Sequence, residues 1–521
     1  MSASSRQGEE PSWLRPLHLA AVFLAAVLLL VPGLGRRGLS ATEGHRVIPG
    51  WEMVESGSYW LPTMFGQAYL RKPPGMPWAV ALFSGLFGQT EFAARLVSVC
   101  ATVGLALIAT VFGARWFGRR WGLAAGMTAV LTPLLWDPAR AAEIEALNNV
   151  AAAAAVLLLL DVLVYQVDPA GGSRSRGRLI GGVLAGLAMA MAGLVKGPAA
   201  LPAVAAAVIA ACAVRRSWRP LAAPGLWLAV GVAGVVAGGS LLRVRAAVEA
   251  SGQTPVLQGV SDFLWTGRAF NLGSVGAVVV MPLLALLAAF PACMAMLFPW
   301  GPDAKAEAKD VEAMRRLTMA RAVTITAVGG IFMLAVMGVR NPRYAQPCVA
   351  FVPVLVAYFV RGWGSEFFII RQRIASVLML GHPAVLGAAL AIAAVLAVHD
   401  PFGWRADTSG RGAGREIGRA MQWPGEVWSD HVIDARPETL WYAKEEAGRG
   451  GIRVVPRWVP GLAREARVPP AGSYLLLRQD VGSDEVDPYT REGLLAGLEL
   501  VAYGRVHKYG YVLYRVPGSP E

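Results

Sequence analysis

The sequence predicts an all-α polytopic membrane core followed by a C-terminal soluble α/β domain. Three observations carry that prediction. Of the 521 residues, 55% are hydrophobic and only 16% charged, with a mean hydropathy of +0.48. The apolar residues come in blocks of roughly 17–25, the length that crosses a bilayer core. Basic residues recur in every second connecting loop, and at His399 short alternating runs replace the long apolar blocks.

About eleven spans follow from the blocks, at 16–34, 92–113, 121–136, 147–165, 179–195, 198–214, 223–242, 276–298, 321–339, 345–361 and 378–398. The two flanking Lys196 are short and read equally as a re-entrant hairpin. The N-terminal segment MSASSRQGEEPSWLRPLHLAA runs straight into the first block, and no small-x-small cleavage site follows. It is therefore expected as a retained span, not a removed signal peptide. Residues 1–398 are the expected core, with 35–91 as its first extracytoplasmic loop, and 399–521 the expected second domain.

Orientation comes from the loops. Arg115, Arg119 and Arg120 fall in one. Arg174, Arg176 and Arg178 fall in the next basic loop, then Arg215, Arg216 and Arg219. Lys305, Lys309, Arg315, Arg316 and Arg321 follow, then Arg361, Arg371 and Arg373. All lie on one side, which the positive-inside rule makes cytoplasmic. The protein is expected in the inner (plasma) membrane, with its working face and its tail extracytoplasmic. The net charge of +13 is then a topology signal. No basic, aromatic-interleaved soluble module appears, so no nucleic-acid partner is expected. Cys100, Cys212, Cys293 and Cys348 lie inside apolar blocks and read as small buried hydrophobes.

The tail holds strand-like runs such as VWSDHVID, IRVVP, SYLLLRQD, LELVAYG and YGYVLYRV, with helical patterns RPETLWYAKEEAG and YTREGLLAGL between them. It carries no catalytic signature.

The unusual polar residues collect in the outward loops. In the first, Glu43, His45, Arg46, Glu52 and Glu55 precede Arg71 and Lys72. VIPGWEMVES has helical spacing, which suggests a short amphipathic helix on the membrane surface; solvation of that helix explains Glu52 and Glu55 as well as any function does. Glu43 sits at the mouth of a span, where an acid can reach a headgroup and a hydroxyl together. In RKPPG the two prolines fix an extended turn and aim Lys72, and Lys and Arg are natural partners for phosphate. The 137–149 loop brings Arg140, Glu143 and Glu145, with Asn148 and Asn149 opening the next span. Ionisable groups at the edge of a membrane core are costly and point to function, although a solvated surface loop explains them too. GLVKGPAAL leaves Lys196 between two spans with no acid nearby in sequence, so a lipid phosphate is its expected counter-ion; snorkelling to the interface is the alternative. RNPRYAQP offers Arg340, Arg343 and Tyr344 as a second phosphate clamp. Acids to deprotonate an acceptor and cations to hold a phosphate leaving group are the equipment for moving a group off a lipid phosphate. No metal-spaced Cys/His cluster, P-loop or GxSxG is present. No cofactor is called for, and a divalent metal ion is left open.

At these motifs the chain resembles the integral-membrane GT-C glycosyltransferases, within them the protein O-mannosyltransferase and lipid A aminoarabinose transferase group. The resemblance rests on the ordered set EMVESGSYWLPTMFGQAYLRKPPGMPW, FGQTEFAARLVS, RWFGRRWGLAAG, Arg140 to Glu145, LVKGPAAL and RNPRYAQPCVAFVP, over about the first 360 residues. It implies inverting transfer of a sugar from a polyprenyl-phosphate donor to an extracytoplasmic acceptor: a protein, a lipid A-like lipid or a wall component. It implies that Lys72, Lys196 and Arg343 contact the lipid phosphate, that Glu145 is the family's second acid, and that Tyr344 is the aromatic beside the clamp. The tail would serve acceptor recognition. One position departs. Where the family has Asp-Glu at the start of the first loop, this chain has Thr42-Glu43: either Glu43, one methylene longer and shifted by one residue, takes over the catalytic acid/base role, or this member works differently or is inactive. Two other classes compete: a polytopic lipid or sugar transporter (flippase), and a catalytically inactive scaffold of the same fold.

Overall fold

The structure is a computed structural model. It describes residues 14–40, 42–166, 175–253, 256–257, 311–339, 342–361, 410–429, 436–459, 467–480, 494–506 and 509–518, with isolated positions between 282 and 299 and Leu462. The expected span at 378–398, most of that at 276–298, and Arg340 lie outside the described residues.

In chain order the helices are α1 (Leu14–Leu30), α2 (Gly44–Ser56), α3 (Gly75–Phe87), α4 (Glu91–Phe117), α5 (Gly122–Leu131), α6 (Pro133–Ala139), α7 (Ile144–Leu160), α8 (Ser175–Lys196), α9 (Leu201–Arg215), α10 (Pro224–Ala233), α11 (Gly239–Ala250), α12 (Val311–Val336), α13 (Gln346–Val349), α14 (Val354–Arg361), α15 (Arg411–Ala420) and α16 (Pro437–Arg449). The strands are β1 (Thr63–Met64), β2 (Gln67–Leu70), β3 (Val256–Leu257), β4 (Gly425–Ser429), β5 (Val454–Trp458), β6 (Tyr474–Asp480), β7 (Glu499–Val506) and β8 (Tyr509–Arg515).

Among the described residues, five helical stretches are long and apolar enough to cross a membrane: Glu91–Phe117, Ile144–Tyr165, Arg176–Arg215, Pro224–Ser251 and Val311–Val336. Arg343–Val349 and Val354–Arg361, bent by 49°, make a sixth if they are one span. The chain is a multi-pass membrane protein. It divides into two compact units. The first comprises Met1–Pro32, Leu96–Leu242 and Gly259–His399; the second comprises Gly33–Arg95, Arg243–Gln258 and Asp400–Glu521. The loop at 35–91, expected as part of the membrane core, thus groups with the tail.

In the first unit, α7 packs against α8 and α9. Small side chains make this approach close: Ala151 and Ala152 of α7 meet Ala192 and Ala200. Gly182 and Gly225 do the same for α8 and α10; a Cβ at Gly182 would lie 2.5 Å from the Gly225 carbonyl oxygen. The apolar run Arg176–Arg215 folds back on itself. A Cβ at Gly177, near its start, would lie 3.0 Å from Gln166 Oε1, and Arg215 at its end donates to the Leu163 carbonyl at 3.1 Å. Both ends meet the same end of α7, so the chain reverses at the 3₁₀ turn Gly197–Ala200, where Gly197 takes φ +61°. That end of α7 is a π-turn, Asp161–Tyr165. Asp161 accepts from Arg115 Nε at 2.7 Å and Trp116 Nε1 at 2.9 Å. Cys212 and Cys348 are buried as expected, whereas Cys100 is exposed on the apolar α4.

In the second unit, α2 is buried instead of lying on a surface. Val47, Ile48, Trp51 and Met53 are fully enclosed. Trp51 packs on Trp441 at 5.1 Å between ring centroids and donates to Ser84 Oγ at 3.1 Å. Glu52 is not a solvated acid either. It accepts from Thr63 Oγ1 and Phe65 N, both at 2.6 Å, and from Gly66 N at 3.3 Å. These bonds pin the β1–β2 hairpin, whose turn residue Phe65 sits at φ +53°. Burial nevertheless pushes the Glu52 carboxyl above its ordinary range. Glu55 pairs with Lys444 at 2.9 Å. β2 also pairs parallel with β3. Strands β4–β8 form one sheet in the order β5-β4-β6-β8-β7, parallel at β5-β4-β6 and antiparallel at β6-β8-β7. Their alternation shows in β5, which reads buried–exposed–buried–exposed–buried.

Candidate active site

Helix α7 starts after Glu143, an extended residue, and this start gathers the charges of the first unit. Glu145 lies in the first helical turn, where the helix dipole favours an anion. Lys196 ends α8, where the dipole favours a cation. Glu145 Oε1 is 3.2 Å from Lys196 Nζ and 3.1 Å from Arg343 Nε. Arg343 also pairs with Glu143 through Nη2. The Lys196 ammonium stands 4.6 Å over the Tyr344 ring, a cation–π contact. Glu143, Glu145 and Lys196 are buried, and Arg343 is 37% exposed at its side chain. Two acids and two cations therefore balance inside an apolar bundle, the condition under which buried charge is tolerated.

Both cations meet Glu145 Oε1. A carboxylate can take a proton, while the ammonium and guanidinium can hold phosphate oxygens.

Glu43 has a different setting, in the second unit. Its Oε1 accepts from Arg95 Nε and its Oε2 from Arg95 Nη2, both at 2.8 Å, and Oε2 also accepts from Ser40 N at 2.9 Å. The remaining Arg95 donors go to the carbonyls of Leu34, Arg37 and Gly38 at 2.7–2.9 Å. All five N–H groups of this guanidinium are engaged, and the pair is sealed, with side-chain exposures of 6% and 3%. Thr42 is exposed.

The other expected residues separate. His45 Nδ1 lies 2.8 Å from Tyr69 Oη, both buried. Arg46 is half-buried beside them on α2, and Arg71 and Lys72 are half-buried on the strap between β2 and α3. Arg140 donates to the Leu30 carbonyl at 2.7 Å and the Pro32 carbonyl at 2.8 Å, closing the last turn of α1. Lys196 does not lack a protein counter-ion, as its sequence neighbourhood suggests; Glu145, distant in sequence, supplies one. Sequence reasoning missed Arg95 and Gln346. Arg95 is legible as a lone charge inside the apolar run FAARLVSV. Gln346 carried no such signal. Among the described residues no group of three or more His, Cys, Asp or Glu could hold a metal ion.

Comparison with known proteins places these observations. The family model for dolichyl-phosphate-mannose-protein mannosyltransferase matches residues 71–238, a stretch that contains Lys72, Glu143, Glu145 and Lys196. An undecaprenyl phosphate-alpha-4-amino-4-deoxy-L-arabinose arabinosyl transferase of Pseudomonas aeruginosa (strain UCBPP-PA14) is 31% identical over 194 residues, 37% of this chain and 34% of that protein. Its counterpart in Serratia proteamaculans (strain 568) is 28% identical over 208 residues, 37% and 33% of the two chains. The alignment thus spans about a third of these relatives' length. The crystal structure of ArnT from Cupriavidus metallidurans bound to undecaprenyl phosphate superposes with a TM-score of 0.69 at 17% identity, covering 98% of this chain and 100% of that one. The apo structure of the same protein gives 0.63 at 16% identity, covering 96% and 97%.

The fold is therefore that of the GT-C membrane glycosyltransferases, as the sequence motifs imply. It is the fold of ArnT from Cupriavidus metallidurans.

Proposed function

We propose that the protein is a membrane glycosyltransferase that moves a sugar from a polyprenyl-phosphate donor to an extracytoplasmic acceptor, inverting the anomeric centre. The observation that carries this reading is the Glu145–Lys196–Arg343 cluster, one acid between two cations at the head of α7. Lys196 and Arg343 hold the donor phosphate and stabilise the charge that develops as it leaves. The acceptor hydroxyl or amine attacks the anomeric carbon, and the Glu145 carboxylate takes its proton. Tyr344 keeps the Lys196 ammonium in place through its ring face. Lys72, with Arg71, keeps the donor-binding role that the family resemblance gives it.

Glu43 takes a different part from the one its position suggests. A carboxylate with both oxygens engaged by a buried guanidinium is a poor proton acceptor. We assign it, with Arg95, to holding the segment from Leu34 to Glu43 in shape. This removes the difficulty posed by Thr42: no acid is required there if Glu145 is the base. The remaining fine topology is proposed on the sequence pattern: about eleven spans in the inner membrane, basic loops cytoplasmic, and 399–521 an extracytoplasmic α/β domain that recognises the acceptor.

The purified full-length chain in proteoliposomes tests the reading. Undecaprenyl phosphate carrying a labelled sugar is supplied with a membrane extract as acceptor source. The account expects label covalently on an acceptor. Label that crosses the bilayer still attached to its lipid identifies a transporter.

A further inference from the structure

We propose that Asn148 is a specificity-determining residue that hydrogen-bonds a hydroxyl or amino group of the transferred sugar, with Asn149 and Gln346 completing the polar patch beside it. The inference rests on the proposed transferase reading of the same site. Its basis is a burial that the protein alone does not explain. Asn148 is 0% exposed, and neither its Nδ2 nor its Oδ1 has a partner among the described residues. Asn149 is 1% exposed; its Nδ2 donates to Gln346 Oε1 at 3.0 Å, but its Oδ1 is unpartnered.

Buried amides are nearly always hydrogen-bonded, and leaving one unpaired in an apolar interior is destabilising. The cost is avoidable, since the next turn of the same helix stripe is Ala151 and Ala152, packed closely on Ala192 and Ala200. An apolar residue at 148 would continue that seam.

Position supplies the ligand class. Glu145, Asn148 and Asn149 stand at i, i+3 and i+4, one face of α7. Glu145 reaches Arg343, and Asn149 reaches Gln346, three residues further along the facing segment. The unpaired amide thus lies one turn deeper than the charges assigned to the phosphate. A group joined to that phosphate and carrying neutral donors and acceptors fits it, which a sugar does and an isoprenoid chain does not. An amide both donates and accepts, so it can read a hydroxyl or an amine that a carboxylate or ammonium would not distinguish.

The test uses the full-length chain in detergent and two readouts that do not require turnover. The first is the affinity for undecaprenyl phosphate alone and for its 4-amino-4-deoxy-L-arabinose and mannose conjugates. The second is the melting temperature. Wild type should bind one conjugate more tightly than the bare lipid. Asn148→Leu should lose that preference by tenfold or more, bind the bare lipid within twofold of wild type, and melt higher, because an unpaired amide has been replaced by an apolar side chain with the same heavy-atom branching. Asn148→Ala should lose the preference equally, without the gain in melting temperature. If Asn148→Leu melts lower and keeps the preference, the residue is structural and the inference is overturned. If bare-lipid binding falls with it, the residue serves the phosphate and the assignment to sugar is overturned. If wild type prefers neither conjugate, the underlying transferase reading fails, and the inference with it.

Discussion

At the scale of single residues, two buried acid–base pairs decide most of the behaviour. Glu43 and Arg95 form a bidentate pair with both partners sealed from solvent. Removing one partner of such a pair strands the other charge, at a cost of about 3–5 kcal/mol. Arg95→Ala is expected to lose that much stability in a thermal or denaturant melt. Arg95→Lys should recover part of it, because one ammonium cannot reproduce five guanidinium donors. Glu43→Gln should likewise act on stability before activity. A Glu43→Gln protein that melts like wild type but fails to turn over would return the catalytic role to Glu43. Lys196 differs, since Glu145 keeps Arg343 as a second partner when it is lost. Lys196→Met should weaken undecaprenyl phosphate binding by tenfold or more, measured directly on the purified protein, with a smaller loss of stability than Arg95→Ala.

At the scale of elements, α16 carries the sharpest pH dependence. Its Glu438 is fully buried, and burial pushes its carboxyl up to about 8, with Arg436 opposing the shift and the charge of Glu43 adding to it. The group is protonated in the folded protein and ionised in the unfolded chain over that interval. A raised carboxyl contributes stability that is fully present below its unfolded value and is lost as pH rises through the folded one. Hydrogen exchange in α16 should therefore accelerate between pH 5 and pH 8 beyond the intrinsic chemical trend, and Glu438→Gln should remove that excess. The same element shows where sequence reading stops. Long apolar blocks are a one-dimensional signal, so most of the helices lie where hydropathy puts them, and β4–β8 fall on the runs that alternation marked. Helix α2 departs from the surface helix that its sequence suggests because its burial comes from Trp441 and Ser84, contacts that no local periodicity reports. Lys196 looks unpaired in sequence for the same reason: its partner is 51 residues away. The cations and acids of the site were visible as types and positions, but their pairing was not.

At the scale of the whole molecule, both topology and chemistry are open to test. The topological test follows from the alternating basic loops: an alkaline phosphatase fused after Glu521 should be active and a fluorescent protein there should stay dark, since the former matures outside the cytoplasm and the latter inside. The opposite pattern would reverse the orientation. The chemical claim is that Glu145 accepts the proton as sugar leaves a polyprenyl phosphate. Its most direct measurement is the single-turnover rate at which label passes from an undecaprenyl-phosphate sugar to an acceptor, for wild type and Glu145→Gln. The account predicts transfer by wild type and a fall of about 10²–10⁴ in the variant, with bare undecaprenyl phosphate still bound. Transfer by Glu145→Gln at the wild-type rate would contradict it.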